Sequence, residues 1–159
     1  MSQGYSGRET RIIRPAVISD APGILACRAP GDTEGTPSLD RLLGYMGGRY
    51  HPRDALGPRA VFVAAVGARV VGYASAHLTR RHRCDGEVEW LYVHADHRRS
   101  GVATALVEAL AAWLIKHEAR RVCVNVDPHN HQAIAFYVAR GARVLDVHWM
   151  IWDDITAAR

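Results

Sequence analysis

The pattern of apolar and polar positions predicts strands and helices along the whole chain. In the first third, residues 11–17 form a plausible first strand, whose proline favours a sheet edge or an early end. A first helix is expected to end near Arg28, and a second to begin at the capping residue Ser38. The second helix has an apolar stripe at helical spacing, formed by Leu39, Leu42, Leu43 and Met46. The prolines and glycines of residues 29–37 predict a loop between the two helices.

Strands and helices then alternate to the end of the chain. The expected strands are residues 59–66, 69–79, 87–93 and 121–126, and the expected helices are residues 102–117 and 130–140. The short glycine-containing link at Gly67 makes the first two strands a hairpin. Residues 143–153 close the chain as one bent strand or a tight hairpin. This order predicts a mixed α/β sheet in a single domain, residues 10–159, after a disordered lead of residues 1–9.

Composition limits the classes of protein that this chain can be. Of its 159 residues 48% are hydrophobic and 23% charged, which is ordinary for a soluble globular protein. No apolar run approaches the roughly 18–20 residues that span a bilayer, and residues 1–8 have no apolar core of a secretory signal. We therefore expect no membrane association and a cytoplasmic location.

Charge and cysteine content narrow the expected partners and chemistry further. The formal net charge of +4 suits an anionic ligand, but it is too small and dispersed to favour nucleic acid. Three widely spaced cysteines argue against a disulfide framework, and Cys27 and Cys123 are expected in the core. A nucleophilic role for Cys84 is not supported, because no His and Asp partner for it can be placed from the sequence.

A basic turn between the strand at residues 87–93 and the following long helix carries the most specific chemical signal. It reads Arg98-Arg99-Ser100-Gly101-Val102-Ala103. The first N–H groups of a helix have no intrahelical partner, and the helix dipole adds positive potential there. Such a turn is suited to bind an anion such as a pyrophosphate. A basic solvated turn is the alternative for the motif taken alone.

These residues resemble the Gcn5-related N-acetyltransferase (GNAT) family. The turn matches the family pattern Arg/Gln-x-x-Gly-x-Gly/Ala, and Glu87, Leu91 and Val93 match the strand that precedes it. The segment NHQAIAFYVARG, residues 130–141, resembles a later helix of the family. The resemblance covers nearly the whole chain. It implies a mostly antiparallel sheet flanked by helices, with a splay between the fourth and fifth strands.

The resemblance also implies acetyl-CoA as co-substrate and assigns residues to it. The pyrophosphate would be held by the turn, the pantetheine arm by the strand that diverges from residues 124–126, and Asn130 and Tyr137 would also contact the cofactor. An N–H near Leu91 would face the thioester carbonyl. The full set of expected cofactor-binding residues is Leu91, Tyr92, Val93, Arg98, Arg99, Ser100, Gly101, Val102, Ala103, Thr104, Asn130 and Tyr137.

The candidate catalytic residues are two glutamates and a tyrosine. An amine must lose a proton before it attacks, so a base is required near the acceptor. Glu87 and Glu89 are spaced to share one face of the strand, and Glu87 occupies a position that is a general base in some family members. The alternative is that they only pair with Arg80, Arg81 or Arg83. Tyr137 matches the tyrosine that hydrogen-bonds the leaving sulfur; the alternative is a packed core aromatic.

Nine histidines raise the question of a metal site. His77, His82, Cys84, His94 and His97 lack compact zinc spacing, as does the His129–His131 pair, so we expect no metal. The absence of a G-x-x-x-x-G-K-[ST] motif argues against a nucleotide triphosphatase.

The expected function is therefore direct acetyl transfer from acetyl-CoA to an amine of a small molecule or peptide in a ternary complex. The alternatives are a non-catalytic acyl-CoA-binding or regulatory module and, less favoured, a nucleic-acid binder. Residues 30–58 and 146–152 would set acceptor specificity, and family members are often homodimers. The residues considered for the acceptor wall are Trp149, Tyr45, Tyr50 and Asp32 or Glu34.

Overall fold

A computed structural model of the chain describes residues 9–28 and 37–159. The strands are β1 (Arg11–Pro15), β2 (Ala55–Val66), β3 (Arg69–Thr79), β4 (Gly86–Val93), β5 (Val122–Asn125), β6 (Arg143–Val144) and β7 (Trp149–Trp152). The helices are α1 (Ala21–Ala26), α2 (Leu39–Met46), α3 (Val102–Lys116) and α4 (His131–Ala139). Most of the expected lead, and residues 29–36 of the expected loop with Asp32 and Glu34, lie outside the described residues.

The strands form a single seven-stranded sheet in the order β1-β2-β3-β4-β5-β7-β6. Every neighbouring pair is antiparallel except β4 and β5, which run parallel because α3 crosses over between them. The closing segment is a hairpin of β6 and β7 rather than one bent strand. The predicted fold class, a mixed and mostly antiparallel sheet flanked by helices, is confirmed.

Helices cover both faces of this sheet. On one face α3 buries Leu106, Leu110 and Leu114 completely, because its apolar residues recur at helical spacing. On the other face α1 and α2 bury Ile24 and Leu42. None of the helices within the described residues has the length and apolar character needed to cross a bilayer.

Several element boundaries differ from those predicted. The first strand ends at Pro15 because a 3-10 turn at Ile18–Asp20 follows, and α1 ends at Ala26 instead of near Arg28. Strand β2 starts earlier, at Ala55, across a register shift that accommodates the glycine and proline before Arg59. The three cysteines are free and buried; this burial was expected for Cys27 and Cys123, and Cys84 shares it.

The parallel strands β4 and β5 separate after a short stretch of pairing. Gly86, Glu87 and Val88 pair with β5, and the rest of β4 does not. On its other side β4 contains a bulge: Val88 pairs with Ala76 and Trp90 with Ser75, so the register shifts at Glu89. The Ser75 hydroxyl accepts the Trp90 N–H at 3.2 Å and thereby satisfies the backbone at the bulge. The predicted splay between the fourth and fifth strands is confirmed.

Helix α4 has the predicted boundaries to within one residue. Asn130 caps it, since its Oδ1 accepts the Ala133 N–H at 3.1 Å. After the helix, Gly141 adopts a φ of +96°, the left-handed conformation that favours glycine. A Cβ at Gly141 would lie only 2.8 Å from the Cβ of Ala157.

We expect Gly141→Ala to lower the free energy of unfolding by about 1–3 kcal/mol, because it adds both backbone strain and a steric overlap. Urea unfolding followed by circular dichroism measures the change. Ala139→Gly, in the last turn of the same helix, is a control for which only about 0.5–1 kcal/mol of lost helix propensity is expected. An unchanged free energy of unfolding in Gly141→Ala would contradict this account.

Candidate acetyl-CoA site

A cleft of about 1350 Å³ opens where β4 and β5 separate. Its walls come from β4, the turn before α3, the end of β5 and the first turns of α4, together with residues around α2. Every residue predicted for catalysis or cofactor binding lines this cleft except Ser100. Ser100 is used within the turn: its carbonyl accepts a hydrogen bond from Arg11 at 2.8 Å, and its hydroxyl donates to the His97 carbonyl. Residues distant in the chain thus converge on one cavity.

The turn before α3 presents backbone N–H groups to the cleft. Gly101 has a φ of +84° and Arg99 a φ of +59°, so the backbone curves around the start of the helix. The first helical hydrogen bond is donated by Ala105 to the Gly101 carbonyl at 3.0 Å. The N–H groups of Val102, Ala103 and Thr104 therefore precede the helical hydrogen-bond ladder. This geometry is suited to an anion.

The arginines of this region have distinct environments. Arg98 donates to the Val93 carbonyl at 3.0 Å, and its guanidinium lies 5.5 Å from the ring centre of Tyr92. Arg28, which the sequence analysis did not assign to the site, lies 4.5 Å from the same ring and lines the cleft. Arg99 is exposed at the cleft edge. Two guanidinium groups thus lie near the Tyr92 ring, beside the turn before α3.

Glu87 is buried in a hydrogen-bonded chain. It is 3% exposed, and its Oε2 lies 3.3 Å from Nε2 of His77, the residue opposite it on β3. His77 is fully buried, and its Nδ1 lies 3.0 Å from the hydroxyl of Tyr45 on α2. Arg81 places a guanidinium nitrogen 3.7 Å from the other Glu87 oxygen. The ion pair that sequence reasoning offered as an alternative for Glu87 is therefore present, and Glu87 still faces the cleft.

Glu89 differs from Glu87 in its surroundings. It is half-buried and lines the cleft, and among the described residues no group forms a hydrogen bond or ion pair with its carboxylate. Burial and the negative charge of Glu87 raise the pKa of Glu89 above its ordinary value. Glu89 lies at the bulge in β4, and one of its carboxylate oxygens is within 4.8 Å of a ligand atom of Glu87 and of His77.

Tyr137 and Asn130 face the cleft from α4. Tyr137 is 5% exposed and packs edge-on against Trp152, with ring centres 5.5 Å apart. Burial raises the pKa of Tyr137, so its hydroxyl stays protonated at neutral pH. No group among residues 9–28 and 37–159 hydrogen-bonds this hydroxyl, although the ring lines the cleft. The Tyr137 ring is therefore packed in the core, while its hydroxyl is available to donate a hydrogen bond to a ligand in the cleft.

Comparison with known proteins assigns the chain to a protein family. A sequence profile described as the acetyltransferase (GNAT) family matches residues 28–142. The chain belongs to this family. No relative was found among the curated proteins.

Solved structures share the GNAT fold over nearly the whole chain. An acetyltransferase from Thermus thermophilus is 29% identical, with 89% of this chain and 96% of that one covered and a TM-score of 0.66. PaiA N-acetyltransferase from Thermoplasma acidophilum, in complex with coenzyme A, is 16% identical, with 91% and 99% covered and a TM-score of 0.71. The ribosomal-protein-S18-alanine N-acetyltransferase from Escherichia coli is 16% identical, with 90% and 93% covered and a TM-score of 0.68. GNAT proteins catalyse acetyl transfer from acetyl-CoA.

The cleft is also lined by residues of the regions expected to set acceptor specificity. They are Pro37, Arg41, Tyr50, Pro52, Arg53 and His148. Of the aromatics considered for the acceptor, Tyr50 lines the cleft, whereas Tyr45 is a fully buried core residue behind it that contacts His77 and Trp90. Trp149 packs against the guanidinium of Arg81, 4.8 Å from its ring centre.

His77, Glu87 and Glu89 are also the group whose ligand atoms lie close enough together for a metal ion. Both ring nitrogens of His77 already face hydrogen-bonding partners, and Arg81 supplies positive charge beside Glu87. These contacts provide hydrogen-bonding or charged partners for His77 and Glu87, whereas Glu89 has no such contact among the described residues. The expectation that no metal takes part stays a prediction.

Proposed function

We propose that this GNAT protein transfers the acetyl group of acetyl-CoA directly to an amine of a small molecule or peptide in a ternary complex. The observation that carries the proposal is the set of backbone N–H groups at the start of α3, facing a cleft between separating strands. The cleft, about 1350 Å³, exceeds the roughly 300–1,000 Å³ of typical small-molecule pockets, which suits a site for two reactants.

The cofactor would occupy the part of the cleft beside α3 and the unpaired half of β4. The pyrophosphate would accept hydrogen bonds from the turn, with Arg98, Arg99 and Arg28 adding positive charge around it. The unpaired backbone of residues 91–93 would hold the pantetheine amides, and an N–H near Leu91 would stabilise the oxyanion of the tetrahedral intermediate. Asn130, which caps α4, also lines the cleft and would complete the cofactor site.

The acceptor amine would lose its proton to the carboxylate pair. Glu89 is the better proton acceptor of the two, because burial and the charge of Glu87 raise its pKa and no described side chain forms an ion pair or hydrogen bond with it. Glu87 remains beside it as a fixed negative charge, paired with His77 and Arg81. The neutral amine then attacks the thioester carbonyl, and the C–S bond breaks as the tetrahedral intermediate collapses. The sulfur leaves as the thiolate of coenzyme A, and the positively charged nitrogen of the intermediate loses its extra proton to solvent, which leaves a neutral amide.

Tyr137 would stabilise the departing thiolate. Its protonated hydroxyl is available to donate a hydrogen bond to the sulfur, which carries negative charge only as the C–S bond breaks. This hydrogen bond is stronger in the transition state than in the ground state. It therefore contributes to kcat and not to acetyl-CoA binding.

We expect Tyr137→Phe to lower kcat about tenfold to a hundredfold, the range of a lost hydrogen bond to a charged group. The KM for acetyl-CoA should stay within about twofold, because the ring still packs against Trp152. Steady-state kinetics with a thiol-reactive dye measure both values. An unchanged kcat would show that Tyr137 is only a packed aromatic.

A binding and turnover experiment tests the proposal as a whole. Calorimetry with acetyl-CoA and with coenzyme A should give saturable binding, and acetyl-CoA with a panel of amines, amino acids and N-terminal peptides should release coenzyme A. Binding with no release for any amine would favour the non-catalytic acyl-CoA-binding module. No binding at millimolar concentration, with steeply salt-dependent binding to DNA or RNA, would favour the nucleic-acid interpretation.

Location and oligomeric state are separate proposals. We propose a cytoplasmic enzyme, from the sequence features given above, and a homodimer by analogy with the family. Light scattering of the purified chain at two concentrations tests the second.

A further inference from the structure

We propose that His77 is a positioning residue for the carboxylate pair, holding Glu87 in place through a hydrogen-bonded chain that begins at Tyr45. The proposal rests on the proposed function for its catalytic meaning, but its structural part can be tested without turnover. From the sequence, Tyr45 was considered only for the acceptor wall, and His77 only among the histidines weighed for a metal site.

The chemistry of the three groups assigns the proton positions along the chain. A neutral histidine carries one N–H, and an ionised carboxylate can only accept a hydrogen bond. For a neutral His77 beside an ionised Glu87, Nε2, which lies 3.3 Å from Glu87 Oε2, is therefore the protonated nitrogen. Nδ1 is then a bare acceptor, and the Tyr45 hydroxyl, 3.0 Å away, donates to it. One tautomer satisfies both contacts.

Burial makes this arrangement costly to leave unsatisfied. Tyr45 and His77 are fully buried, and Glu87 is 3% exposed. A buried polar group without a hydrogen-bond partner costs about 1–3 kcal/mol of folding free energy. The proton arrangement that gives every member of the chain a partner is therefore favoured. Burial also raises the pKa of Tyr45 and keeps its hydroxyl protonated as a donor. The Tyr45 ring is held in turn by Trp90, with ring centres 4.9 Å apart.

Charged groups of the neighbouring elements lie near Glu87, but none of those described takes over the buried hydrogen bond that His77 donates to it. Arg81, in the turn before β4, approaches the other carboxylate oxygen at 3.7 Å and is partly exposed. Arg59 on β2 lies over the Tyr45 ring at 4.9 Å, and Arg41 on α2 acts electrostatically on Glu89. On β5 the residue opposite Glu87 is Cys123, a buried thiol whose pKa is raised, so it adds no charge. His77 is thus the buried donor to Glu87.

The consequence for the reaction is a division of roles between the two carboxylates. His77 fixes the Glu87 carboxylate, which attracts the protonated acceptor and acts on Glu89 through its charge. Glu89, at the bulge and free of such contacts among the described side chains, takes the proton. His77 touches no reacting atom and acts through Glu87.

The tautomer is measurable on the full chain without any acceptor. Long-range ¹H–¹⁵N correlation NMR of protein labelled in its histidine rings should show His77 protonated at Nε2 and bare at Nδ1 at pH 7. Assignment comes from loss of this signal in His77→Gln, and exposed His117, outside the cleft, serves as an internal reference. A His77 protonated at Nδ1 alone, or at both nitrogens, would overturn the proposed chain.

Kinetics test the positioning role. With the best amine from the panel as probe, His77→Leu should lower kcat about tenfold to a hundredfold, the scale of a misplaced catalytic group, with KM for acetyl-CoA within twofold. His77→Gln, which keeps an N–H donor for Glu87, should recover at least part of that loss. Tyr45→Phe keeps the ring packing and should reduce the Nε2–H preference in the NMR spectrum.

The outcomes separate the inference from the proposed function. If NMR shows the expected tautomer but no amine gives turnover, the hydrogen-bonded chain is supported and the proposed acetyltransferase activity is contradicted. Equal kcat in wild-type protein and folded His77→Leu, with unfolding midpoints compared by circular dichroism, would overturn the positioning role. The same holds if Leu and Gln at this position lose equal activity, because a purely structural role predicts no advantage for the donor.

Discussion

Glu89→Gln should lower kcat/KM about 10²- to 10⁴-fold, the usual contribution of a general base. Gln keeps the size and polarity of the side chain but cannot accept the proton of the acceptor amine. In the wild-type protein kcat should rise with pH as Glu89 ionises, and burial and Glu87 place that midpoint above the ordinary pKa of a glutamate. The Glu89→Gln variant should lose this rise, which is the acidic limb of the pH–rate profile. A pH–rate profile with the best amine acceptor measures both effects.

Glu87→Gln is the matched comparison for this experiment. It removes the negative charge that raises the pKa of Glu89, so the acidic limb should persist but move to lower pH. Its loss of rate should be smaller than that of Glu89→Gln, because the proton acceptor remains. The opposite result, in which Glu87→Gln abolishes the limb and Glu89→Gln retains it, would make Glu87 the base, as the family resemblance first suggested.

Local backbone features of the site could be predicted from the sequence. The positive φ of Gly101, the capping of α4 by Asn130 and the apolar face of α3 depend on a few neighbouring residues each. Their motifs therefore predict them well. The separation of β4 from β5 was expected only through the family resemblance, since it depends on which residues of two strands pair.

The contacts around Glu87 could be predicted only in part. Counting outward from the turn between β3 and β4 places His77 opposite Glu87, so this pair was within reach of sequence reasoning. The bulge at Glu89 was not, because it depends on Ser75 of the neighbouring strand accepting the Trp90 N–H. Tyr45 reaches His77 from α2, more than thirty residues away, and no local pattern indicates that contact.

The arginines illustrate the same limit. Arg98 was predicted as a phosphate ligand from its place in the motif, yet its guanidinium also binds the Val93 carbonyl. Arg28 lies beside Tyr92 because α1 packs on β3 and β4, a tertiary contact that the sequence does not reveal. The charge of a side chain is known from the sequence, but the direction in which the side chain points depends on tertiary packing.

Gly101→Val should weaken binding of coenzyme A about tenfold to a hundredfold. The substitution places a β-branched side chain at a φ of +84°, a conformation such residues avoid, so the turn that presents the N–H groups has to change its backbone conformation. Losing one charge-assisted hydrogen bond to phosphate costs about 1.5–3 kcal/mol, which corresponds to this range. Calorimetry with coenzyme A measures the change.

Two controls assign the loss to the phosphates. Pantetheine lacks the pyrophosphate and should bind wild-type protein and Gly101→Val equally, because its contacts are expected along β4 and not at the turn. Gly48→Val imposes similar strain at a φ of +73°, in open space outside the cleft, and should leave coenzyme A binding unchanged. Because a Cβ at Gly101 would meet nothing closer than an Arg11 nitrogen at 4.0 Å, crowding within the protein is not the cause. Equal losses for pantetheine and coenzyme A would therefore mean that the turn shapes the cleft without holding the phosphates.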